Sequence, residues 1–272
     1  MSRSSTPRLP SLFVSHGSPM FAIEPGIAGS ELRSLAEKLP RPEAIVIASP
    51  HWMAARLSVT SAERPETIHN FGGFPKPLYE LHYPAPGSPA WAQRVLEALG
   101  AAGIAAQADP QRGLDHGAWV PLMHMYPDAD IPVVQLSLHP RFGPAHHLQL
   151  GRALAPLREQ GVLIIGSGSL THNLHELRRE PGPVHDYVRA FAGWIAAMLA
   201  AGDTGALLDY RSRAPHAEHA HPTDEHLLPL LFAQGAAGED WQARRIAADD
   251  VRYGTLAMDA YVFDDPARST PR

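Results

Sequence analysis

Val162-Leu163-Ile164-Ile165-Gly166-Ser167-Gly168-Ser169-Leu170-Thr171-His172 is the stretch on which the fold turns. A strand with one wet face alternates apolar and polar residues. An unbroken apolar run fits a strand covered on both faces, the kind found in parallel sheets. The run stops at a Gly-Ser-Gly-Ser segment, and a histidine follows. The same grammar occurs twice upstream. Ser11–Ser15 ends in Val14-Ser15-His16, and the candidate strand 44–49 runs Ile45-Val46-Ile47-Ala48 into Ser49-Pro50-His51-Trp52. Further strands are expected at 57–60 and 131–138, and helices at 30–39, 89–100, 143–159, 185–201 and 223–233. Alternating strands and helices predict an α/β class. With no internal repeat and no linker-like break, residues 1–272 are expected to form a single domain, with a central, mostly parallel sheet flanked by helices. Open α/β sheets keep their sites at the carboxyl ends of the strands. Histidines delivered there by separate strands predict a metal site at that edge.

Composition narrows the chemistry. There are 16 histidines and no cysteine in 272 residues. Imidazole is the commonest metal ligand and moves protons near neutral pH. The lack of cysteine removes disulfides, iron–sulfur clusters, thiolate zinc sites and cysteine nucleophiles. A net charge of −5 argues against a nucleic-acid partner. Met1 to Pro10 lacks the apolar core of a signal peptide. The apolar stretch Tyr187 to Ala201 carries Arg189 and is too short to span a bilayer. A cytoplasmic protein without a membrane partner is expected, with no oligomeric state implied. Pro65–Pro89 is as long as ordered loops become, and loops of that length are usually functional.

Five segments carry candidate chemistry. His16 sits at a His-Gly-Ser-Pro turn, where it either caps the strand or faces the site. His51, with His16, supplies two neutral nitrogen donors to one metal if the two strands share a sheet; Trp52 is read as a core residue. His172 is either a ligand or a proton-transfer group. The segment His216-Ala217-Glu218-His219-Ala220-His221-Pro222-Thr223-Asp224-Glu225-His226 is read as a helix start with Thr223 as N-cap. That places Glu225 and His226 in the first turn; the alternative is a solvated loop. Asp115-His116-Gly117 reads either as an imidazole oriented towards substrate or as a structural histidine held by its carboxylate neighbour. His69, His82, His124, His139, His146, His147, His175 and His185 are expected to be surface or hydrogen-bonded core residues.

Together these pieces resemble the class III extradiol ring-cleaving dioxygenases, in the DOPA-4,5-dioxygenase-like branch. The pieces are Ser15-His16-Gly17-Ser18-Pro19, Ser49-Pro50-His51-Trp52, Phe71-Gly72-Gly73-Phe74-Pro75, Tyr83-Pro84-Ala85-Pro86-Gly87, Asp115-His116-Gly117-Ala118-Trp119, Thr171-His172-Asn173 and Glu225-His226. Their order and spacing cover nearly the whole chain. The resemblance implies a non-haem Fe(II), replaced by Zn(II) in some isolated relatives. It implies His16 and His51 as ligands and a third ligand at His226, with Glu225 as the alternative. His172 would be the acid/base residue, and would also complete a tetrahedral sphere around zinc. His116 would either stand behind a ligand or touch the substrate, and the Phe71–Tyr83 loop would form part of the pocket wall; at the substrate, the chemistry would have His116 stabilise developing oxyanion charge. Asn70 stands where the resemblance leads one to expect Asp, and Gly72 where Tyr is frequent.

Such a site needs few parts. Three ligands on one face leave positions for both oxygens of a catechol and for dioxygen. One histidine of near-neutral pKa can remove and return the catechol proton. The implied substrates are a catechol, DOPA- or caffeate-like, and O2, giving a ring-opened semialdehyde. Two rival readings use the same residues: a zinc hydrolase of an amide or ester, and a non-enzymatic metal-binding member of the fold.

Overall fold

The computed structural model describes residues 8–178 and 182–266; residues 1–7, part of the segment read for targeting, lie outside the described residues. Ten strands are found among the described residues: β1 Ser11–Ser15, β2 Ala44–Met53, β3 Leu57–Thr60, β4 Ala106–Asp109, β5 Val133–Leu138, β6 Val162–Gly168, β7 Gln242–Ile246, β8 Val251–Arg252, β9 Leu256–Ala257 and β10 Ala260–Asp264. Ten α-helices accompany them: α1 Gly26–Lys38, α2 Lys76–Tyr79, α3 Pro89–Ala101, α4 His116–Met125, α5 Pro144–Leu154, α6 Asp186–Ala201, α7 Thr204–Leu208, α8 Tyr210–Arg213, α9 Ala217–Ala220 and α10 Leu228–Ala237. Eight strands form one sheet in the order β4-β3-β5-β2-β6-β1-β10-β7, and β8 and β9 make a separate two-stranded ribbon. The centre, β5-β2-β6-β1, is parallel; β3 and β10 join it antiparallel. No helix among the described residues is long and apolar enough to cross a membrane.

The unbroken apolar runs are buried on both faces, as their pattern requires. Leu12 and Val14 pack with α1 and α4, while Phe13 between them packs with α6 and α10. Alternation therefore survives as a choice between two helical layers rather than between core and water.

β6 is the strand that organises the site. It lies between β1 and β2 although it follows both in sequence, with Ser15 opposite Gly168 and Ala48 opposite Gly166. Its small residues serve both faces. A Cβ on Gly166 would sit 2.0 Å from the Pro229 carbonyl oxygen, and one on Gly168 2.2 Å from that of His226. These two glycines let the α10 segment close directly onto the strand. Ser167 points to the opposite face.

Two expectations need correction. The helix expected from Thr223 begins at Leu228, because Pro229 is accommodated in the first turn. Thr223 instead donates its hydroxyl to Glu225 Oε1, and His226 sits in the turn before the helix. Helix α4 was not among the expected helices: Asp115 N-caps it and accepts from Ala118 N–H. Pro121 inside that helix conceals it in the sequence. The Gly-Ser-Gly run extends β6 rather than leaving it. β4 and β7 to β10 were not anticipated. β4 and β7 are partly exposed edge strands with weak apolar character.

Candidate metal centre and its cavity

His16 follows β1, where Gly17 at φ +57° turns the chain away. His51 lies in the last part of β2, within the break in register between Ala48 and Met53. His116 opens α4, His172 follows β6, and His226 precedes α10. Neighbouring strands lie about 4.8 Å apart, so β1 and β2 flank β6 at a distance two imidazoles can bridge. They do so: His16 Nε2 lies 3.0 Å from His51 Nε2. The ring of His116 lies 4.0 Å from that of His51, and His226 lies 5.5 Å from His16 and 5.2 Å from His51. His172 stacks on His226 at 3.4 Å. All five predicted histidines meet in one place.

Their hydrogen bonds fix which nitrogen faces inward. Pro121 has no N–H, so the Gly117 carbonyl four residues earlier lacks its helical partner. Ser167 donates its hydroxyl to that carbonyl and so has no proton left for His16. The 3.0 Å contact between His16 Nδ1 and Ser167 Oγ must then run from Nδ1–H to oxygen. His16 Nε2 is left with its lone pair. His116 is set the same way by Asn70, whose Oδ1 accepts from both the backbone N–H (2.9 Å) and the ring Nδ1–H (3.0 Å). His226 Nδ1 lies 3.3 Å from Glu225 Oε1, and its Nε2 is buried without a protein partner. A carboxylate on one imidazole nitrogen with a free lone pair on the other is the common arrangement around metals.

Asp115 does not hold the His116 ring. Its buried carboxylate accepts from Gln135 Nε2 and pairs with Arg112, whose guanidinium lies 5.2 Å over Trp52 and bonds the His51 carbonyl at 3.3 Å. Asp115 thus ties α4 to β2 and β5. Glu225, about one-third exposed, also borders a separate surface cleft with Arg141 and Arg211.

Burial drives the electrostatics. His16, His116 and His226 are held well below the ordinary imidazole range, first by desolvation and then by the neighbouring imidazoles. Burial also lowers His51, against the opposing pull of Asp115 and Glu225, and sets His172 to about 4. All five are neutral at pH 7, the form that donates a lone pair. Oxygen and nitrogen donors and an unpartnered buried Nε2 suit a divalent transition metal, so the residues fit the group the sequence implies. Groups within ligating reach of one another are His16, His51 and His116, and His172, Glu225 and His226.

The centre floors a cavity of about 290 Å³ walled by Phe71, Phe74, Pro19 and Leu256. Phe71 and Phe74 come from the long proline-rich loop, as expected for a pocket wall. Trp52 is a core residue, as read. His221, from the cluster considered above, is instead buried and donates to the Leu170 carbonyl at 2.8 Å. His219 lies at the surface against Glu176. His139 ends β5 at the same sheet edge but turns away to the Ala55 carbonyl and stacks on Phe142. Sequence reasoning missed Ser167, Asn70 and Gln135 as supports. Gln135 carried a signal, a lone amide inside the apolar run Val133–Leu138.

A family model described as the catalytic LigB subunit of aromatic ring-opening dioxygenase matches residues 11–264. The chain is 44% identical over 238 residues to a protein of Beta vulgaris named 4,5-DOPA dioxygenase extradiol, covering 86% of this chain and 89% of that one. It is 41% identical to the protein of the same name from Escherichia coli K12, covering 93% and 94%. The crystal structure of an uncharacterized Escherichia coli K12 protein superposes with a TM-score of 0.76 at 34% identity, covering 94% of this chain and 99% of that one. The fold, the histidine cluster and these matches agree: the chain belongs to the LigB family of aromatic ring-opening dioxygenases, in its 4,5-DOPA-dioxygenase-like branch.

Proposed function

We propose that residues 1–272 act as one extradiol dioxygenase unit, cleaving a catechol ring with O2 next to the diol to give a ring-opened semialdehyde. The observation that carries this reading is the set of neutral imidazoles with inward lone pairs at the floor of an aromatic-walled cavity. His16, His51 and His226 would hold Fe(II), with Glu225 orienting His226 rather than ligating. His172 would join them when Zn(II) occupies the site. When bound, the iron supplies chelation of both catechol oxygens and the redox chemistry of dioxygen.

The protein's own groups handle protons and position. His172 is neutral at pH 7 and so begins as a base, taking a catechol proton and later returning it to the departing oxygen. Its stacking on His226 limits the ring to one plane. His116 keeps its only proton on Asn70, so its Nε2 accepts a hydrogen bond from a substrate hydroxyl. Donation to a developing oxyanion, the role the chemistry suggested for it, requires the protonated ring, which burial disfavours. Phe71, edge-on to His116 at 5.5 Å, walls the ring site and excludes water.

The test is anaerobic loading with Fe(II), then air and a panel of catechols, followed by oxygen uptake and absorbance of the ring-opened product. Uptake matched to product and absent from a Zn(II)-loaded control is expected. Stoichiometric iron with no uptake across the panel refutes the reading. Oxygen-independent ester or amide hydrolysis by the zinc form would replace it.

A further inference from the structure

We propose that a second cavity, between α6 and residues 256–259, binds a free α-amino acid with an apolar side chain. It holds about 230 Å³ and, among the described residues, shares none of its lining with the histidine-floored cavity. Val188, Ala192, Val251 and Ala257 supply apolar wall, and Arg189, Arg245, Asp249 and Asp259 supply charge. Arg245 is built in: its Nε–H donates to Asp259, whose fully buried carboxylate keeps its charge only with such a partner. That bond uses one of the five guanidinium donors. The terminal nitrogens of Arg245, the Arg189 guanidinium and the Asp249 carboxylate make no hydrogen bond or ion pair with any described residue. The Tyr261 hydroxyl, on the residue opposite Arg245 in β10, is also buried without a protein partner.

The charges choose the ligand. With Asp259 committed to Arg245, the uncommitted groups are guanidinium nitrogens and one carboxylate. A guanidinium edge matches a carboxylate through two parallel bonds, and Asp249 matches an ammonium. A zwitterion satisfies both signs at once, whereas a ligand with one charge leaves the opposite group without a partner as it loses water. The apolar wall then takes the side chain. The site is also stitched to the catalytic centre. Leu256 walls the histidine cavity while its neighbour Ala257 lines this one. Met258 lies against Gly17, and the Asp259 carbonyl accepts from Ser15 Oγ at 2.7 Å. Ala257 N–H donates to Thr171 Oγ1 at 2.9 Å. These contacts flank His16 and His172, so an occupant that steadies 256–259 steadies the chain beside both.

The test is calorimetry with L-valine, L-leucine and L-phenylalanine, on the Fe(II)-loaded protein under argon and on the metal-free protein. Valinamide and 3-methylbutanoate serve as valine analogues that each lack one charge. Valine should bind both protein forms alike, and each analogue about tenfold more weakly, the scale of a lost charge-assisted hydrogen bond. Arg189→Gln should weaken valine about tenfold and leave valinamide unchanged. Asp249→Asn suits the left-handed backbone there (φ +66°); it should weaken valine and leave 3-methylbutanoate unchanged. Both variants should keep the parent's affinity for Zn(II). With valine bound, amide hydrogen exchange should slow at 256–259, 15–17 and 171–172. Binding by none of the three amino acids, equal affinity for valine and both analogues, or an affinity indifferent to Arg189→Gln overturns the proposal. So does valine binding that needs iron, which places the ligand on the metal. Unaltered exchange at 15–17 and 171–172 overturns the link to the catalytic centre. Failure here is separate from failure of ring cleavage, because the metal-free protein reports it.

Discussion

Replacing Ser167 by alanine tests the chain of bonds that prepares His16. The serine is fully buried and donates to Gly117 while accepting from His16 Nδ1. Alanine strands two buried groups, a carbonyl and an imidazole N–H, each worth about 1–3 kcal/mol when unpaired. The apo protein should therefore lose on the order of 2 to 6 kcal/mol. Metal binding should suffer separately. Partners that orient a ligating histidine are typically worth about 10–100-fold in affinity, here because the ring would no longer be bound to present Nε2. The assay is competition for Zn(II) against a chromophoric chelator at pH 7.5, with urea unfolding of the apo form alongside. Ser11→Ala is the control: its hydroxyl is also buried and donates to the Ala233 carbonyl at 2.7 Å, outside the histidine cluster. It should lose stability and keep full metal affinity. A folded Ser167→Ala protein that binds metal as tightly as the parent would refute the tautomer argument.

Four further outcomes are expected. The apo protein should weaken in acid: the clustered imidazoles are neutral when folded, His172 at about 4 against 6.5 when free. Unfolding therefore takes up protons between those values. Stability is full above 6.5 and falls by about 1.4 kcal/mol per pH unit for each such group as pH drops; urea midpoints that stay level from pH 7.5 to 5 would contradict this. Gly117→Ala places a Cβ 2.2 Å from Ser49 Oγ and 2.9 Å from His51 Cδ2, so metal retained after dialysis should fall at least about tenfold, using the same scale for a displaced ligand. Gly193→Ala, on the exposed side of α6 with nothing nearby, should instead stabilise by about 0.5–1 kcal/mol. Pro121→Ala returns an N–H that competes with Ser167 for the Gly117 carbonyl; helix propensity improves, and metal affinity should nonetheless drop, as chelator competition would show.

The legible part of this fold was what periodicity and position encode. Unbroken runs at 11–15, 44–49 and 162–166 identify buried parallel strands, and the histidines after them reach one sheet edge because strand ends are fixed by topology. That rule over-reaches at His139, which also ends a strand but lies on β5, two strands from β6. Strand order is set by long-range pairing, which no local window contains. Asn70 was noted only as a departure; its work on His116 depends on a loop folding back over 46 residues. Ser167 hid in a run that resembles a flexible loop. Pro121 disfavours a helix in any local window, although its missing N–H is what frees the Gly117 carbonyl.

The central position of β6 has a consequence for how the molecule assembles. β1 and β2 have no register with each other; each pairs with β6. The two imidazoles that meet across it therefore cannot find one another until the chain has been made as far as Gly168 and threaded between their strands. Before that, the first histidines have no common framework to aim them at one ion. Non-local pairing of this kind is slow. The metal then arrives as a lock on a finished sheet rather than as a nucleus for it, and refolding rates should be indifferent to its presence while unfolding slows.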